Sequence, residues 1–513
     1  MRSRRAVFVI LLGAFLPAGV LPAFGQAAPG AVAASASGAA SATVQQGGSS
    51  AGAANSGMAG QSAASPAGMP GSGAPAQGAF AGSVPAKLVP GTLHLSLSDA
   101  IHRGLQQNLG LLLSSGDLES ARGARWKQLS ALLPHVSASP YVDISQVNLK
   151  EFGFSFNFPG ATIPSIVGPF SYFDARASLT QSVFDWSAVN AERASKQRVE
   201  SAQYTYQDAR DLVVLAAGYS YLQVTAAGAR VDTAQAEVNS AQALYDQADS
   251  QVQAGTSPSI DALRAKVELQ TRQQQLIASR NNFEIQKLSL ARVIGLAPGQ
   301  QFDLTDKSPY QAFTAMSVDD AVKRAESSRS DLQAAAADVR AAEFEKKAAH
   351  AEHYPTLGFS SDYGIAGQHI SSNHGVFDVR GTLNIPIFAG NAAHGDILQA
   401  DARLQQSRQR YDNLRAQIDA DVRTALLNVE SSQELVSVAR GNIDLAEQTL
   451  AQARDRFSAG VTDTVEVVQA EEQVASAHES YISGLYSFNY AKISLARAMG
   501  TAEETFKQYF KGN

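Results

Sequence analysis

The chain of 513 residues contains no cysteine. This absence excludes disulfide bonds, thiolate metal sites and thiol nucleophiles, and it excludes acylation of a mature N-terminal cysteine, so we expect no lipoprotein. A P-loop and a stripe of lysine and arginine are also missing. The sequence therefore predicts no enzyme, no cofactor, no resident metal and no nucleic-acid partner.

Ionised side chains are absent from residues 26–84. Before this stretch, three arginines within residues 2–5 precede an apolar run, and the small residues Ala23 and Gly25 follow it. This order predicts a secretory signal peptide over residues 1–25; the alternative, an uncleaved anchor, is opposed by the glycines and prolines that interrupt the run. Residues 26–88 are rich in Ala, Gly, Ser and Pro, which predicts a disordered leader.

Two segments, residues 96–134 and 317–355, align with each other without a gap. Ser96 and Ser317 each stand three residues before an aspartate, and Pro134 and Pro355 end the segments. A capping-box-like start and a proline stop predict one helix of about ten turns in each segment. Residues 89–513 are therefore interpreted as one protomer with internal repeats at 92–310 and 314–513.

After each proline, apolar and polar residues alternate, which predicts two β-hairpins at about 134–184 and 355–388. The predicted apolar face consists of Val136, Ala138, Val142, Ile144, Phe173, Ala175, Ala177, Leu179 and Val183, and then of Leu357, Phe359, Tyr363, Ile365, Phe377, Val379, Leu383, Ile385 and Ile387. Strands of this length and period are typical of a membrane β-barrel, and a soluble sheet over a core is the alternative.

The first hairpin is the longer one by 17 residues, since 39 positions separate Pro134 from Phe173 and 22 separate Pro355 from Phe377. Insertions belong in exposed loops. The extra segment contains Phe152, Phe154, Phe156 and Phe158, which either extend a strand towards the headgroup girdle or pack within the loop.

Residues 186–254 and 389–459 contain no proline and have helical periodicity, so each predicts a helix about 100 Å long. A seven-residue step in each pairs a larger apolar residue with a small one, such as Val224 with Ala227 and Val429 with Ser432, which predicts a close coiled-coil seam. An offset of four from Ile418 to Val422 interrupts the step as a stutter. Gly255 and Gly460 mark turns, and return helices of about 35 residues follow.

Four strands cannot close a barrel, and an open sheet edge in lipid leaves backbone groups unpaired. The protomer must therefore oligomerise: two copies give eight strands and a filled interior, whereas three give twelve strands and leave room for a lumen. Such a barrel on a long helical tube predicts a duct.

The helix opening at Leu97 to Asn108, the strand end at Pro386 to Gly390, the Ala-Gly turns and the LARxxG endings, repeated in order, resemble the TolC-type outer-membrane efflux family over about residues 92–505. The resemblance implies an α+β membrane protein: a homotrimer in the outer membrane, with a twelve-stranded β-barrel and a periplasmic α-barrel of long coiled-coil helices. It also implies a periplasmic adaptor protein and an inner-membrane pump as partners in a tripartite efflux system.

In this family the helix tips carry the gate. The resemblance places it here at Val252, Gly255, Thr256, Asp261, Phe457, Gly460, Val461, Thr462, Glu466 and Gln469. Phe457, Thr462 and Gln469 replace a tyrosine, an arginine and an aspartate of the family pattern, whereas Glu466 retains the outer acid, with Asp261 as its counterpart.

Because Phe457 has no hydroxyl group, we expect closure to rest on apolar packing of the Val252 and Phe457 turns. Thr462 is expected not to pair with a carboxylate. Glu466 is expected to form a ring of like charges if it faces the lumen, and the alternative for Glu466 and Asp261 is an ordinary solvated acid at a helix start.

Three other functions remain open. A type I protein secretion duct has the same architecture. Heavy-metal efflux is less supported, because methionine is sparse and cysteine is absent. A trimeric coiled-coil adhesin would place its stalk on a single barrel segment, unlike the alternating hairpins and helices here. His350, Glu352 and His353 are interpreted as a solvated helix end, and Asp319 and Asp320 as helix-start acids.

Overall fold

The computed structural model describes residues 78–153, 157–158, 161–162, 164–306, 310–314, 316–369 and 371–503. The predicted signal peptide and the leader up to residue 77 lie outside the described residues, as do Phe154 and Phe156. The helices are α1 Leu97–Gln107, α2 Leu109–Ser130, α3 Trp186–Gln253, α4 Ser259–Ile294, α5 Val318–Ser328, α6 Ser330–Ala351, α7 Ala392–Ser458 and α8 Thr464–Ala498. The strands are β1 Leu93–Leu95, β2 His135–Asn148, β3 Asn157–Phe158, β4 Ala161–Thr162, β5 Ile166–Phe184, β6 Phe302–Leu304, β7 Thr356–Gly367 and β8 Asn373–Asn384.

The elements run twice through one order: two helices, a hairpin, a long helix and a return helix. We call residues 93–304 the first half and residues 318–498 the second half. Each half has its own apolar core between its short helices, its long helix and its return helix. α3 packs against α2, α4, α6 and α8, whereas α7 packs against α5, α6 and α8. α2 and α4 therefore lie at one border of the helical array and α7 at the other.

The helix before each hairpin is broken, so the prediction of one continuous helix is wrong in both halves. The breaks fall at Asn108 and Arg329, whose ψ angles of 130° and 119° are extended. Asn108 is fully buried; its side chain accepts from Gly110 N and donates to the carbonyl oxygens of Phe80 and Val293. These tertiary hydrogen bonds replace the helical ones and hold the break open.

Arg329 occupies the corresponding break with a different set of partners. Its guanidinium donates from Nε to Asp331 Oδ1 over 3.0 Å and from Nη1 to Asp421 Oδ2 over 3.2 Å. Ser96 caps α1 with the expected capping box, whereas Ser317 makes no side-chain cap hydrogen bond.

Residues 78–89 form a segment that we call the N-terminal strap. Val84 N donates to Gln107 O over 2.9 Å and Leu109 N to Gly82 O over 3.0 Å. Phe80 covers Gly110, where a Cβ would lie 2.5 Å from the ring. The prediction of disorder is therefore wrong for residues 78–88, because their backbone groups and one aromatic ring complete the packing around the α1–α2 break.

The two hairpins form one antiparallel sheet with the strand order β2-β5-β7-β8. Its register aligns Val142 with Phe173 and Tyr363 with Phe377, so the predicted apolar residues of the paired strands share one face. The exceptions are Val183, which lies at a register shift, and Ile385 and Ile387, which follow the end of β8. Phe377 is 76% exposed and Tyr363 72%. No other described part of the chain covers this apolar face. The alternative of a soluble sheet packed over a core therefore does not fit.

The opposite face of the sheet carries a charged network. Arg176 contacts Asp174 over 2.7 Å and Asp362 over 3.2 Å, and Tyr172 donates its hydroxyl to Asp174. Asp174 is 2% exposed. The polar residues of all four strands therefore lie on the side opposite the apolar face, as the alternation predicts.

The long helices follow the predicted seam. Its small residues, including Ala241 and Ala248 of α3 and Ala453 of α7, are buried. Ile418 and Val422 on either side of the stutter are both fully buried, because the offset of four keeps both side chains on the core side. At about 1.5 Å per residue, α3 and α7 carry their turns about 100 Å from the sheet.

Candidate functional site at the helix tips

The two tip turns have the same backbone. Gly255 and Gly460 adopt φ angles of 74° and 72°, a left-handed conformation that a Cβ disfavours. Thr256 N donates to Gln251 O over 3.0 Å, and Val461 N donates to Arg456 O over 2.9 Å. Glycine therefore ends each long helix and allows the return helix to begin within five residues.

The acidic side chain at the first tip is enclosed. Asp261, in the first turn of α4, is 5% exposed and accepts from Ser257 Oγ over 2.9 Å. Arg264 lies 3.7 Å away from the other carboxylate oxygen. The interpretation of Asp261 as a solvated helix-start acid is wrong, because the turn folds back over the carboxylate.

The second tip is closed by a charged pair. Arg456 Nη1, in the last turn of α7, donates to Glu466 Oε1 over 2.8 Å, and Thr462 Oγ1 donates to the other oxygen of Glu466. The expectation that Thr462 does not pair with a carboxylate is therefore wrong. Arg456 was not predicted from the sequence, although it directly precedes Phe457 in the last turn of α7.

Phe457 lies inside the protomer and is 3% exposed. It belongs to a cluster that joins four helices: Leu244 and Ala248 of α3, Ala265 of α4, Ala453 of α7, and Val467 and Ala470 of α8. Val252 is only half-buried and is not a member of this cluster. Phe457 therefore connects the second tip to α3 and α4 within one chain. The expectation that the Val252 and Phe457 turns pack together is wrong for this chain.

The remaining predicted tip residues lie on the outside of the turns. Val461 is 68% exposed, and Gly255, Thr256, Gly460 and Gln469 are also exposed. Gln469 lines a groove of about 530 Å³ between α4 and α8. Its walls are mainly apolar and include Ile260, Leu263, Val267, Val465 and Val468.

Above the tip cluster, the contact between the first and second halves becomes polar. Glu471, 7% exposed, accepts from Arg454 Nη2 over 2.9 Å and from Ser240 Oγ over 3.0 Å. These hydrogen bonds were not predicted from the sequence, because Ser240 is distant in the chain from Arg454 and Glu471 and meets them only through tertiary packing.

A second set lies beside it on α3 and α4. Arg272, 6% exposed, contacts Glu268 over 2.6 Å and Glu237 over 3.3 Å. Burial raises the pKa of Glu237, although Arg272 opposes the shift. Opening the tips would therefore separate charged partners above the apolar cluster.

His350, Glu352 and His353 are exposed at the end of α6, as predicted. Within the described part of the chain, no group of three or more His, Asp or Glu side chains could hold a metal ion. The packing and ion pairs at the tips suit contacts that form and break between helices rather than catalysis.

Comparison with known proteins identifies the family of the chain. A model of the outer membrane efflux protein family matches residues 101–296 and 321–501, ranges that include both tips. Outer membrane protein TolC of Escherichia coli strain K12 is 21% identical over 344 residues, covering 64% of this chain and 70% of that protein. Alkaline protease secretion protein AprF of Pseudomonas aeruginosa is 20% identical over 433 residues, covering 80% and 85%. The crystal structure of the Campylobacter jejuni CmeC outer membrane channel has a TM-score of 0.68 at 17% identity, covering 80% of this chain and 88% of that one.

Proposed function

Since the chain belongs to the outer membrane efflux protein family, we propose that it works as a passive exit duct assembled from three copies. It is an outer-membrane efflux protein. The proposal concerns how the copies assemble, which partners they meet and what passes through them. The observation that supports it best is the four-stranded sheet, which has two open edges and one exposed apolar face.

In the isolated chain, β2 and β8 are the edges of the four-stranded sheet. Each backbone group left unpaired in lipid costs several kcal/mol, so these edges must pair with other strands. Three sheets joined edge to edge give twelve strands, enough for a lumen, whereas eight strands leave an interior filled by side chains. The exposed apolar face would then contact lipid, and the face with Arg176 and Asp174 would line the lumen.

The helical borders support the same head-to-tail assembly. β2 follows α2 in the chain, and β8 leads into α7, so each sheet edge continues into one border of the helical array. Both borders expose apolar side chains: Ile277 and Leu288 on α4, and Leu427, Leu435, Val438 and Leu445 on α7. A contact of α7 and β8 with α2, α4 and β2 of the next copy is heterologous, and it closes a ring when the rotation matches the copy number.

The tips would extend about 100 Å into the periplasm from a sheet in the outer membrane. The apolar groove between α4 and α8 is exposed at this end. We assign it to a periplasmic adaptor protein that presents an amphipathic helical hairpin, whose apolar stripe would cover Leu263 and Val267. An inner-membrane pump would deliver small solutes through that adaptor into the duct.

Two experiments test assembly and cargo. The purified full-length protein should contain three chains per particle by light scattering in mild detergent; a folded, monodisperse monomer would contradict the duct. Deletion of the gene should raise the intracellular retention of small apolar solutes and leave protein secretion unchanged. Loss of a secreted protein with unchanged solute retention would favour the type I secretion duct, to which the likeness to AprF points.

A further inference from the structure

A cluster of charged side chains joins the two halves where the end of α8 lies against α3. It contains Asp208, Arg210 and Asp211 of α3, Arg497 of α8, Glu503 beyond it, Arg329 and Asp331 at the α5–α6 break, and Asp421 of α7. All of these residues lie on the helical array or directly after it, outside the sheet. The cluster therefore connects α3 of the first half to the beginning and the end of the second half.

The charges in this cluster do not balance. Five carboxylates face three guanidinium groups, and each guanidinium already has a carboxylate partner. Arg210 forms two-point contacts with Glu503 over 2.9 and 3.1 Å, Arg497 pairs with Asp208, and Arg329 pairs with Asp331 and Asp421. Asp211 is the member without an ion pair of its own among the described residues.

Asp211 is also among the most enclosed members of the cluster. It is 8% exposed, beside Asp208 and Glu503. Arg497 Nη1 is buried without a hydrogen-bond partner in the described part of the chain, so the guanidinium that faces both aspartates is used by Asp208 alone. A buried carboxylate beside like charges is stabilised by binding a proton.

We propose that Asp211 binds a proton in the closed junction, and that this proton controls how tightly the end of α8 is held against α3. Protonation removes the charge of the one carboxylate in the cluster that lacks a guanidinium partner, and it ends the repulsion with Asp208 and Glu503. Deprotonation leaves a buried charge that accepts a hydrogen bond from the Glu503 backbone but has no ion pair of its own. The junction between the halves is then the part of the protomer that responds to external acidity.

The direction of the effect follows from the pKa. Burial raises the pKa of Asp211 to about 6; the carboxylates of Asp208 and Glu503 also raise it, while Arg497 and a hydrogen bond from the Glu503 backbone lower it. An opened junction returns the carboxyl to its ordinary value of 3.8. Between these two values the closed junction holds more protons than the open one, so the closed state loses stability as the pH rises through about 6.

The test is amide hydrogen exchange of residues 494–503 in the full-length protein in mild detergent. Wild type and Asp211→Asn are compared at the same pH, so that intrinsic exchange rates cancel. Asp211→Asn should exchange more slowly than wild type. The ratio of the wild-type rate to the variant rate should grow about tenfold from about pH 5 to about pH 7.5, because only the wild type gains a charge at position 211.

Asp208→Asn is the matched control, since it removes the same charge three residues away. It should speed exchange at about pH 7.5, because Arg497 loses its partner. A ratio of Asp211→Asn to wild type that stays constant with pH would overturn the proposal, and so would slowing by both variants alike. If Asp211→Asn fails to fold, exchange in wild type alone decides: protection of residues 494–503 must fall with pH relative to residues 259–270, and unchanged relative protection contradicts the proposal.

Discussion

The first and second halves build the same helices, but they hold their breaks and tips with different chemistry. At the break, Asn108 makes hydrogen bonds to backbone groups, whereas Arg329 makes ion pairs with Asp331 and Asp421. At the tip, the first half encloses Asp261, and the second half exposes a pair between Glu466 and Arg456. The second tip therefore depends on an exposed charged pair that salt and solvent weaken, and it is the tip expected to move first.

The largest difference should appear at Phe457 and at its counterpart Val252. Phe457→Ala should cost about 3 to 5 kcal/mol, because it empties a buried cluster that joins four helices, whereas Val252→Ala should cost about 1 kcal/mol. Thermal unfolding of the purified protein gives the order. Phe457→Ala should also raise single-channel conductance in planar bilayers, and equal effects of the two variants would remove the distinction between the tips.

The sheet is the region where the two halves should respond alike. Val142→Arg in β2 and Val379→Arg in β8 both place a charge on the apolar face, and each should cost roughly 2 to 4 kcal/mol near the middle of the membrane. Thr382→Arg is the control, because Thr382 lies on the polar face of β8. Yields of folded protein from membranes report the cost, and tolerance of all three variants would argue against a lipid-facing sheet.

The two breaks should differ in the size of the effect. Arg329→Ala should cost about 2 to 3 kcal/mol, because Asp331 and Asp421 lose their shared partner. Asn108→Ala should cost about 1 to 2 kcal/mol through lost hydrogen bonds to Gly110 and Phe80. Thermal unfolding of the purified variants gives both costs, and a larger cost for Asn108→Ala than for Arg329→Ala would contradict the contrast.

The smallest effect is expected at the charged tip. Glu466→Gln breaks a half-exposed pair with Arg456, so it should cost less than about 1 kcal/mol. Glu466→Gln should raise single-channel conductance less than Phe457→Ala does. High salt should raise the conductance of the wild type by a similar amount, because it weakens the same pair. Asp261→Asn should leave the salt response of conductance unchanged, because Asp261 is enclosed and bonded to Ser257.

The sequence predicted most of the fold because the fold repeats. Two aligned segments and their changes of period place the hairpins, the long helices and the return helices, and the family match confirms the outer-membrane efflux assignment. The helix breaks at Asn108 and Arg329 escaped prediction, since both segments keep helical periodicity and only tertiary partners stabilise an extended residue there. Phe80 escaped it as well, because a single aromatic ring in a small-residue segment gives no periodic signal.

The tips were the least predictable part. Replacement of an arginine by Thr462 suggested a missing charge pair, but Arg456 supplies one from the preceding turn. Phe457 fits the seven-residue step equally well whether its side chain points to a lumen or into its own protomer. The packing of α3, α4, α7 and α8 against one another places the side chain inside the protomer, and this packing cannot be read from the sequence.

The central claim is that three copies join head to tail, and the absence of native cysteine allows a direct test. A protein with Ile277→Cys on α4 and Leu435→Cys on α7 is treated in native membranes with a long bis-maleimide reagent, beside the two single-cysteine controls. The head-to-tail ring predicts covalent dimers and trimers, no larger species, and little product from either control. A ladder that stops at two chains, or efficient cross-linking of a single-cysteine control, would contradict the three-copy duct.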